Sequence, residues 1–247
     1  MQKNQFSSKF SHATLLLVLI LGCGIMSSCQ KSNEEEIVSS GNRVSGYVDS
    51  LGKSIAAPQK LKENDQGTYN GWFWSLYREG GSGSLTHGSG GNFAISYSNC
   101  RDIVGGKGWN PGAARTINYN VGSLTGAFDF VGVYGWTRSP LIEYYVSEFG
   151  SIPGSTQVNT VTIDGRTYRF IKNQRVNAPS IIGTATFWQY IDNWGGSSRG
   201  TNRSINMSAH INNWRSRGGQ GFGSYDYQIL ALEAFNYKSG SINATVW

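Results

Sequence analysis

The stretch "LIEYYVSEFG", Leu141 to Gly150, decides the fold. Ile142, Tyr144, Tyr145 and Val146 are β-branched or aromatic, the composition of a strand, and Glu143 stands among them. A carboxylate in mid-strand is costly unless it meets water, a partner or a substrate. The same problem recurs in "YDYQILALEAF", Tyr225 to Phe235. Alternation puts Tyr227, Ile229, Ala231, Glu233 and Phe235 on one face of that strand, and Gln228, Leu230, Leu232 and Ala234 on the other. The leucine face reads as core, so Glu233 belongs to the other face with Tyr227, as Glu143 shares its face with Tyr145. Glu148 and Asp226 lie in the same runs, so pattern alone does not separate a working carboxylate from a solvated one.

Outward from these strands, turn signals recur at short intervals: "GGSGS", "GSGGN", "GGKG", "NPG", "DG" and "GGSSRG" separate alternating runs. "NTVTIDGRTYRF" predicts a hairpin closed by Asp164 and Gly165. "SAHINNWRSRGG" predicts the one helix, with Ser208 as N-cap, Ile211 and Trp214 three apart, and Gly218 at its end. Many strands and one helix predict an all-β sandwich or jelly roll. The composition agrees: 33 glycines, 8 tryptophans and 13 tyrosines with only 15% charged residues suit short strands and tight turns, not a helical bundle or a disordered chain. The net charge of +6 is scattered without a Lys/Arg run or a nucleic-acid motif, so it reads as solvation and no nucleic-acid partner is expected.

The N-terminus reads as a targeting segment. Lys3 and Lys9 precede the apolar run "ATLLLVLILGCGIM", too short to span a bilayer comfortably, and "SSCQKSNEEE" follows. A cysteine after small residues at the end of such a run resembles a bacterial lipoprotein signal. Cys29 is the expected lipid acceptor because the polar, acidic stretch begins behind it; Cys23 in "ILGC" is the alternative. The acidic "NEEE" resembles the export tag of surface lipoproteins, which predicts a lipid-anchored, surface-exposed protein of the outer membrane, touching the membrane through the lipid alone. The expected organisation is a signal peptide over 1–28, a linker over 29–56 and one domain over 57–247. Cys100 is then the only thiol of the domain and no disulfide framework is expected. His12, His87 and His210 have no ligand spacing, so no metal site is expected.

Two strand carboxylates facing one aromatic-lined concavity suit glycoside hydrolysis, where one carboxyl must be ionised and the other must hold a proton near neutral pH. The motifs carry this further. "VYGWTRSPLIEYYV" closely resembles the nucleophile strand of the family 11 glycoside hydrolases, the small jelly-roll endo-β-1,4-xylanases. "GSGGNF" and "VGGKGWNPGAARTINYN" resemble that family's early strands, and "RVNAPSIIGTATFWQY" its thumb hairpin and the strand after it. "SAHINNWRSRG" is similar to its helix, and "YQILALEAFNYKSGSINATVW" to its acid/base and closing strands. The resemblance runs from Thr68 to Trp247 with the motifs in order.

The resemblance implies a jelly roll of two twisted antiparallel sheets around a cleft, with a thumb hairpin and one α-helix. It implies a cofactor-free, monomeric, retaining endo-β-1,4-xylanase acting on xylan or xylo-oligosaccharides. Glu143 is implied as nucleophile and Glu233 as general acid/base. Tyr134 and Tyr145 match tyrosines that orient the nucleophile and its sugar; Arg175 matches a cleft arginine; Pro179, Ser180 and Ile181 match the thumb tip; Gln189 and Tyr227 match polar sugar contacts. Trp109 and Trp136 are read as core or cleft wall. Asp102 matches the position beside the acid/base, where Asp accompanies an acidic optimum and Asn a more neutral one.

Three stretches depart from the family pattern. Tyr77 in "LYREGG" stands where a tryptophan sugar platform is usual. Ala234-Phe235 replaces Gly-Tyr or Gly-Trp, with an extra residue in "NYKSG", and "QYIDNWGG" replaces a Tyr-Trp-Ser run. A β-1,4-glucanase on the similar family 12 jelly roll is an alternative, which the "PSIIG" thumb disfavours. A non-catalytic carbohydrate-binding or structural lipoprotein is another, and it leaves the two glutamates with their tyrosines unexplained.

Overall fold

The computed structural model describes residues 65–247. The predicted signal peptide, both candidate lipid acceptors, the linker and positions 57–64 of the predicted domain lie outside the described residues. In chain order the elements are β1 (Asp65–Tyr69), β2 (Trp72–Glu79), β3 (Ser82–His87), β4 (Asn92–Trp109), β5 (Thr116–Gly126), β6 (Phe130–Arg138) and β7 (Ile142–Gly150). There follow β8 (Thr156–Ile163), β9 (Arg166–Ser180), β10 (Gly183–Asn193), β11 (Arg203–Asn206), α1 (Met207–Arg217) and β12 (Ser224–Val246).

The expected jelly roll is present, and its two layers are joined. One layer runs β1-β2-β4-β12-β6-β7-β10-β9-β8; the other is made by β3, the first half of β4, the second half of β12, β5 and β11. The 18 residues of β4 and the 23 of β12 pass from one layer into the other, so the strands form a single hydrogen-bonded sheet. The β12–β4 register slips between Phe235 and Lys238, where the strands change layer. Such bulges let a strand turn a corner. One pair also departs from the antiparallel expectation: β7 and β10 are parallel, because the chain crosses to the β8–β9 hairpin before β10 returns beside β7.

The alternation in β12 explains the core. Leu230, Leu232 and Ala234 enter the cluster between the layers with Ile103, Tyr144, Val146 and Trp214. Tyr227, Ile229 and Ala231 enter a second cluster with Tyr134, Tyr145, Ile171 and Phe187, which underlies the concave side. Each fully buried large apolar side chain contributes about 1.5–3 kcal/mol, so both faces of β12 hold it in register. The β8–β9 hairpin closes through Asp164 and Gly165 as expected, both with positive φ (49° and 74°), the twist of a two-residue hairpin turn. The helix forms over the predicted stretch but starts differently. Asn206 is the N-cap, accepting from the Ala209 N–H at 3.2 Å, while the Ser208 hydroxyl donates to the Ala114 carbonyl at 3.0 Å. Gly218 closes the helix in right-handed geometry, its N–H bonding the Trp214 carbonyl.

Candidate active site

The concave side opens into a cleft of about 510 Å³. Adjacent strands each contribute to its lining: Tyr77 and Glu79 from β2, Asp102 and Val104 from β4, Tyr227 and Glu233 from β12, Tyr134 and Trp136 from β6, Glu143 and Tyr145 from β7, Phe187 and Gln189 from β10. Arg175, Pro179 and Ser180 from β9, with Ile181 from the turn, form one wall. That wall is the thumb: β9 and β10 pair to their tip, with Pro179 opposite Thr184 and Ser180 opposite Gly183. The tip is braced by the Ser180 hydroxyl, which donates to the Gly183 carbonyl at 2.6 Å and accepts from the Ile182 N–H at 3.2 Å.

Every site residue named from the sequence within the described region lines this one cleft: Tyr77, Asp102, Tyr134, Glu143, Tyr145, Arg175, Pro179, Gln189, Tyr227 and Glu233. Cys29 lies outside the described residues. Trp136 is cleft wall, and its indole N–H donates to the Tyr134 hydroxyl at 2.7 Å. Trp109 lies away from the cleft, against Trp72 and the Arg115 guanidinium.

Two glutamates in this cleft are buried in opposite company. Glu143 is 8% exposed and accepts from the Tyr134 hydroxyl and the Gln189 amide, each at 2.7 Å. The register makes this possible: Gln189 lies directly across from Glu143, and Tyr134 lies two pairs along on the same face, opposite Tyr145. Gln189 is itself fixed by the Asn173 amide, which donates to its oxygen at 2.7 Å. Burial pushes the Glu143 carboxyl up, while the Gln189, Tyr134 and Tyr145 hydrogen bonds and the Arg175 charge pull it back toward ionisation. Glu233, 9% exposed, has a buried Oε2 with no hydrogen-bond partner. Burial, then the carboxylates of Asp102, Glu143 and Asp129, hold it well above the usual carboxylate range. Glu143 is surrounded by donors, whereas Glu233 has the Tyr145 hydroxyl as a donor against three carboxylates, the arrangement that separates a base or nucleophile from an acid. Burial keeps the phenols of Tyr134 and Tyr145 protonated far above neutral pH, so both act as donors.

Sequence reading missed Glu79 and Arg101. Glu79 follows Tyr77 at strand spacing, accepts from the Tyr77 hydroxyl and pairs with Arg101. The alternation that holds along β12 fails at Arg101. Asn99 takes a positive φ of 53°, Cys100 turns into the core, and Arg101 and Asp102 both come to line the cleft.

A twisted β-sheet cleft closed by a thumb, with a donor-rich and a donor-poor glutamate across it, defines a glycoside-cleaving jelly roll. The chain matches the profile of the glycosyl hydrolases family 11 over residues 69–245, and it belongs to that family. It is 42% identical over 199 residues to the endo-1,4-β-xylanase I of Cochliobolus carbonum, covering 78% of this chain and 87% of that protein. It is 41% identical over 203 residues to the endo-1,4-β-xylanase 11B of Humicola insolens, covering 79% and 67%. It is 41% identical over 206 residues to the endo-1,4-β-xylanase 2 of Rhizopus oryzae, covering 78% and 92%.

Proposed function

We propose that this glycoside hydrolase is an endo-1,4-β-xylanase that cleaves internal xylosidic bonds of xylan with retention, Glu143 acting as nucleophile and Glu233 as acid/base. The observation that carries the role assignment is the unlike surroundings of the two carboxyls: four donors or cations around Glu143, and an unpartnered oxygen among carboxylates on Glu233. Glu233 protonates the leaving oxygen while Glu143 attacks the anomeric carbon and forms a glycosyl ester. Glu233 then takes a proton from water, which attacks the same carbon and frees Glu143. The Tyr134 hydroxyl and Gln189 amide hold the attacking carboxylate in line. Tyr77, Tyr145, Arg175, Pro179, Gln189 and Tyr227 contact the chain of sugars, and Asp102 tunes Glu233.

Release of reducing ends from xylan, cellulose and mixed-linkage glucan tests the substrate. Xylan is the expected one, and turnover of the glucans in its place would support the glucanase alternative. Proton NMR of the first product formed tests the stereochemistry: the β-anomer is expected, and the α-anomer would exclude the ester intermediate.

The reading extends to location. The protein is anchored to the outer membrane through lipid on Cys29 and works at the surface as a monomer. The short apolar run, the cysteine behind small residues and the acidic stretch after it support this. Globomycin should trap the precursor, and Cys29→Ala should release the protein from membranes. Release by Cys23→Ala and not by Cys29→Ala would move the lipid to Cys23.

A further inference from the structure

The β2 side of the cleft carries a support that the two glutamates do not use. The registers align two rows of residues across β2, β4 and β12 on the concave face: Tyr77, Val104 and Glu233 in one row, Glu79, Asp102 and Phe235 in the next. Tyr77 is therefore in line with Glu233, two strands or about 10 Å away at the usual strand spacing. Its ring lines the cleft and packs against the cluster beneath it. A tyrosine projecting into an open cleft keeps rotational freedom unless its far end is held, and that freedom is lost when a ligand settles on the ring.

Here the far end is held by Glu79. The Tyr77 hydroxyl donates to its Oε1 and the Arg101 guanidinium pairs with its Oε2, so one carboxylate divides its oxygens between the ring and a cation. Burial, then the Glu79 hydrogen bond and charge, push the Tyr77 phenol well above its ordinary value, so it stays a donor. Glu79 is itself fixed. It ends β2, and the turn into β3 runs through Gly80 and Gly81, both with positive φ (64° and 57°). Arg78, buried on the other face of β2, donates to the carbonyls of both glycines and braces that turn. Arg101 passes directly over Gly80, where an added Cβ would stand 3.4 Å from the Arg101 Cβ. Glu79 also lies directly across from Asp102, a pairing that repels once both are ionised. The Arg101 charge offsets that repulsion and keeps the carboxylate at the phenol.

We propose that Glu79 is a positioning residue of this site: clasped by Arg101, it holds the Tyr77 ring in the orientation that receives a sugar on the β2 side of the cleft. The inference rests on the reading of the cleft as a xylanase site and adds to it a residue that acts through another. A ring already held gives up less freedom on binding, so the contribution of Glu79 appears as affinity for the oligosaccharide.

The test is a double-mutant cycle on affinity. Glu79→Leu, Tyr77→Phe and the two together are made in the Glu143→Gln background, where xylohexaose should bind without turnover, and Kd is read by calorimetry. Each single change should weaken binding about three- to fivefold, and the pair no more than either alone, because both remove the same hydrogen bond. Glu79→Gln keeps an acceptor for the phenol and should stay within about twofold of the Glu143→Gln reference. Losses that multiply in the pair would mean that Glu79 and the hydroxyl act separately and would overturn the proposal. So would an unchanged Kd in either single variant, or a Glu79→Gln as weak as Glu79→Leu. Xylan hydrolysis by the wild type is read in the same series. Absence of both hydrolysis and xylohexaose binding would defeat the xylanase reading itself, whereas binding by the reference with a multiplicative or silent cycle defeats only this role for Glu79.

Discussion

Strand β7 carries two buried glutamates five residues apart, and they have opposite fates. Glu148 points between the layers, with no exposed surface, and accepts from the Tyr168 hydroxyl at 2.5 Å and the Tyr119 hydroxyl at 2.6 Å. The Arg166 guanidinium stands 3.5 Å away and compensates its charge. Glu143, on the other face, is likewise hydrogen-bonded by side chains, the Tyr134 and Tyr145 hydroxyls and the Gln189 amide, but it opens onto the cleft opposite a second carboxyl. Hydrogen bonding therefore does not distinguish them. What differs is the remaining side: Glu148 is enclosed with the Arg166 guanidinium 3.5 Å away, whereas Glu143, with neutral donors and the charge of the cleft-wall Arg175, faces space that a substrate can fill. Burial of a charge costs several kcal/mol unless it is compensated. In Glu148 the compensation is structural, and in Glu143 the carboxylate is free to react.

The sharpest way to break this comparison is to remove one charge at a time. Glu143→Gln should reduce xylan hydrolysis to background, because an amide does not form the glycosyl ester, while Tm holds or rises. Near-normal turnover by that variant would end the assignment. Glu233→Ala should lose about 10²- to 10⁴-fold on xylan and far less on an aryl xylobioside whose phenol leaves without protonation. Equal losses on the two substrates would deny Glu233 its acid role. Glu148→Gln should do the reverse of Glu143→Gln. With Arg166 left unpaired against two buried phenols, stability should fall by roughly 3 kcal/mol, about 6–12 °C in Tm, with kcat of the folded enzyme kept. A Glu148→Gln enzyme that is stable but inactive would place Glu148 in the machinery and dissolve the contrast.

Sequence reading could not make that contrast, and the reason is physical. Strand alternation puts Glu143 and Glu148 on opposite faces but does not say which partners wait on each, so the working carboxylate could not be told from the structural one until Tyr119 and Tyr168 were brought to Glu148 and Gln189 to Glu143. Where the backbone stays regular, the sequence was legible: the two faces of β12, the hairpin at Asp164-Gly165 and the helix span all follow from side-chain periodicity and turn chemistry. Where it bends, the reading failed. The positive φ at Asn99 breaks the alternation and brings Arg101 and Asp102 together on the cleft. The helix cap is Asn206 and not Ser208, because the Ser208 hydroxyl is taken by a carbonyl 94 positions away in sequence. The union of the two layers through β4 and β12, and the parallel β7–β10 pair, depend on contacts between distant segments that local pattern does not encode.

The smallest expected effect tests how far the donor-poor surroundings of Glu233 depend on Asp102. Asp102 lies on β4 with Glu79 directly across on β2 and Phe235 across on β12. Burial, then Glu79 and Glu143, raise its carboxyl to about 6, with Arg175 and Arg101 opposing. Its charge in turn is the largest electrostatic influence holding Glu233 up, ahead of Glu143 and Asp129. Two facing carboxyls avoid ionising together, so they retain a proton between them that the reaction uses. The sign follows from which group loses its proton first. As pH rises past about 6 Asp102 ionises, and its charge binds the proton more tightly on Glu233, which becomes a weaker acid toward the leaving oxygen, so activity falls. In Asp102→Asn the amide supplies a donor at every pH. The upper limb then reports Glu233 alone, which burial and Glu143 still hold above the usual range. Wild type should therefore have an acidic optimum and Asp102→Asn an optimum moved upward by about one pH unit, with some loss of maximal rate. Profiles of kcat/KM on soluble xylan from acid to neutral pH decide it. Superimposable profiles would show that Asp102 does not couple to Glu233, and would leave the contrast between Glu143 and Glu148 untouched.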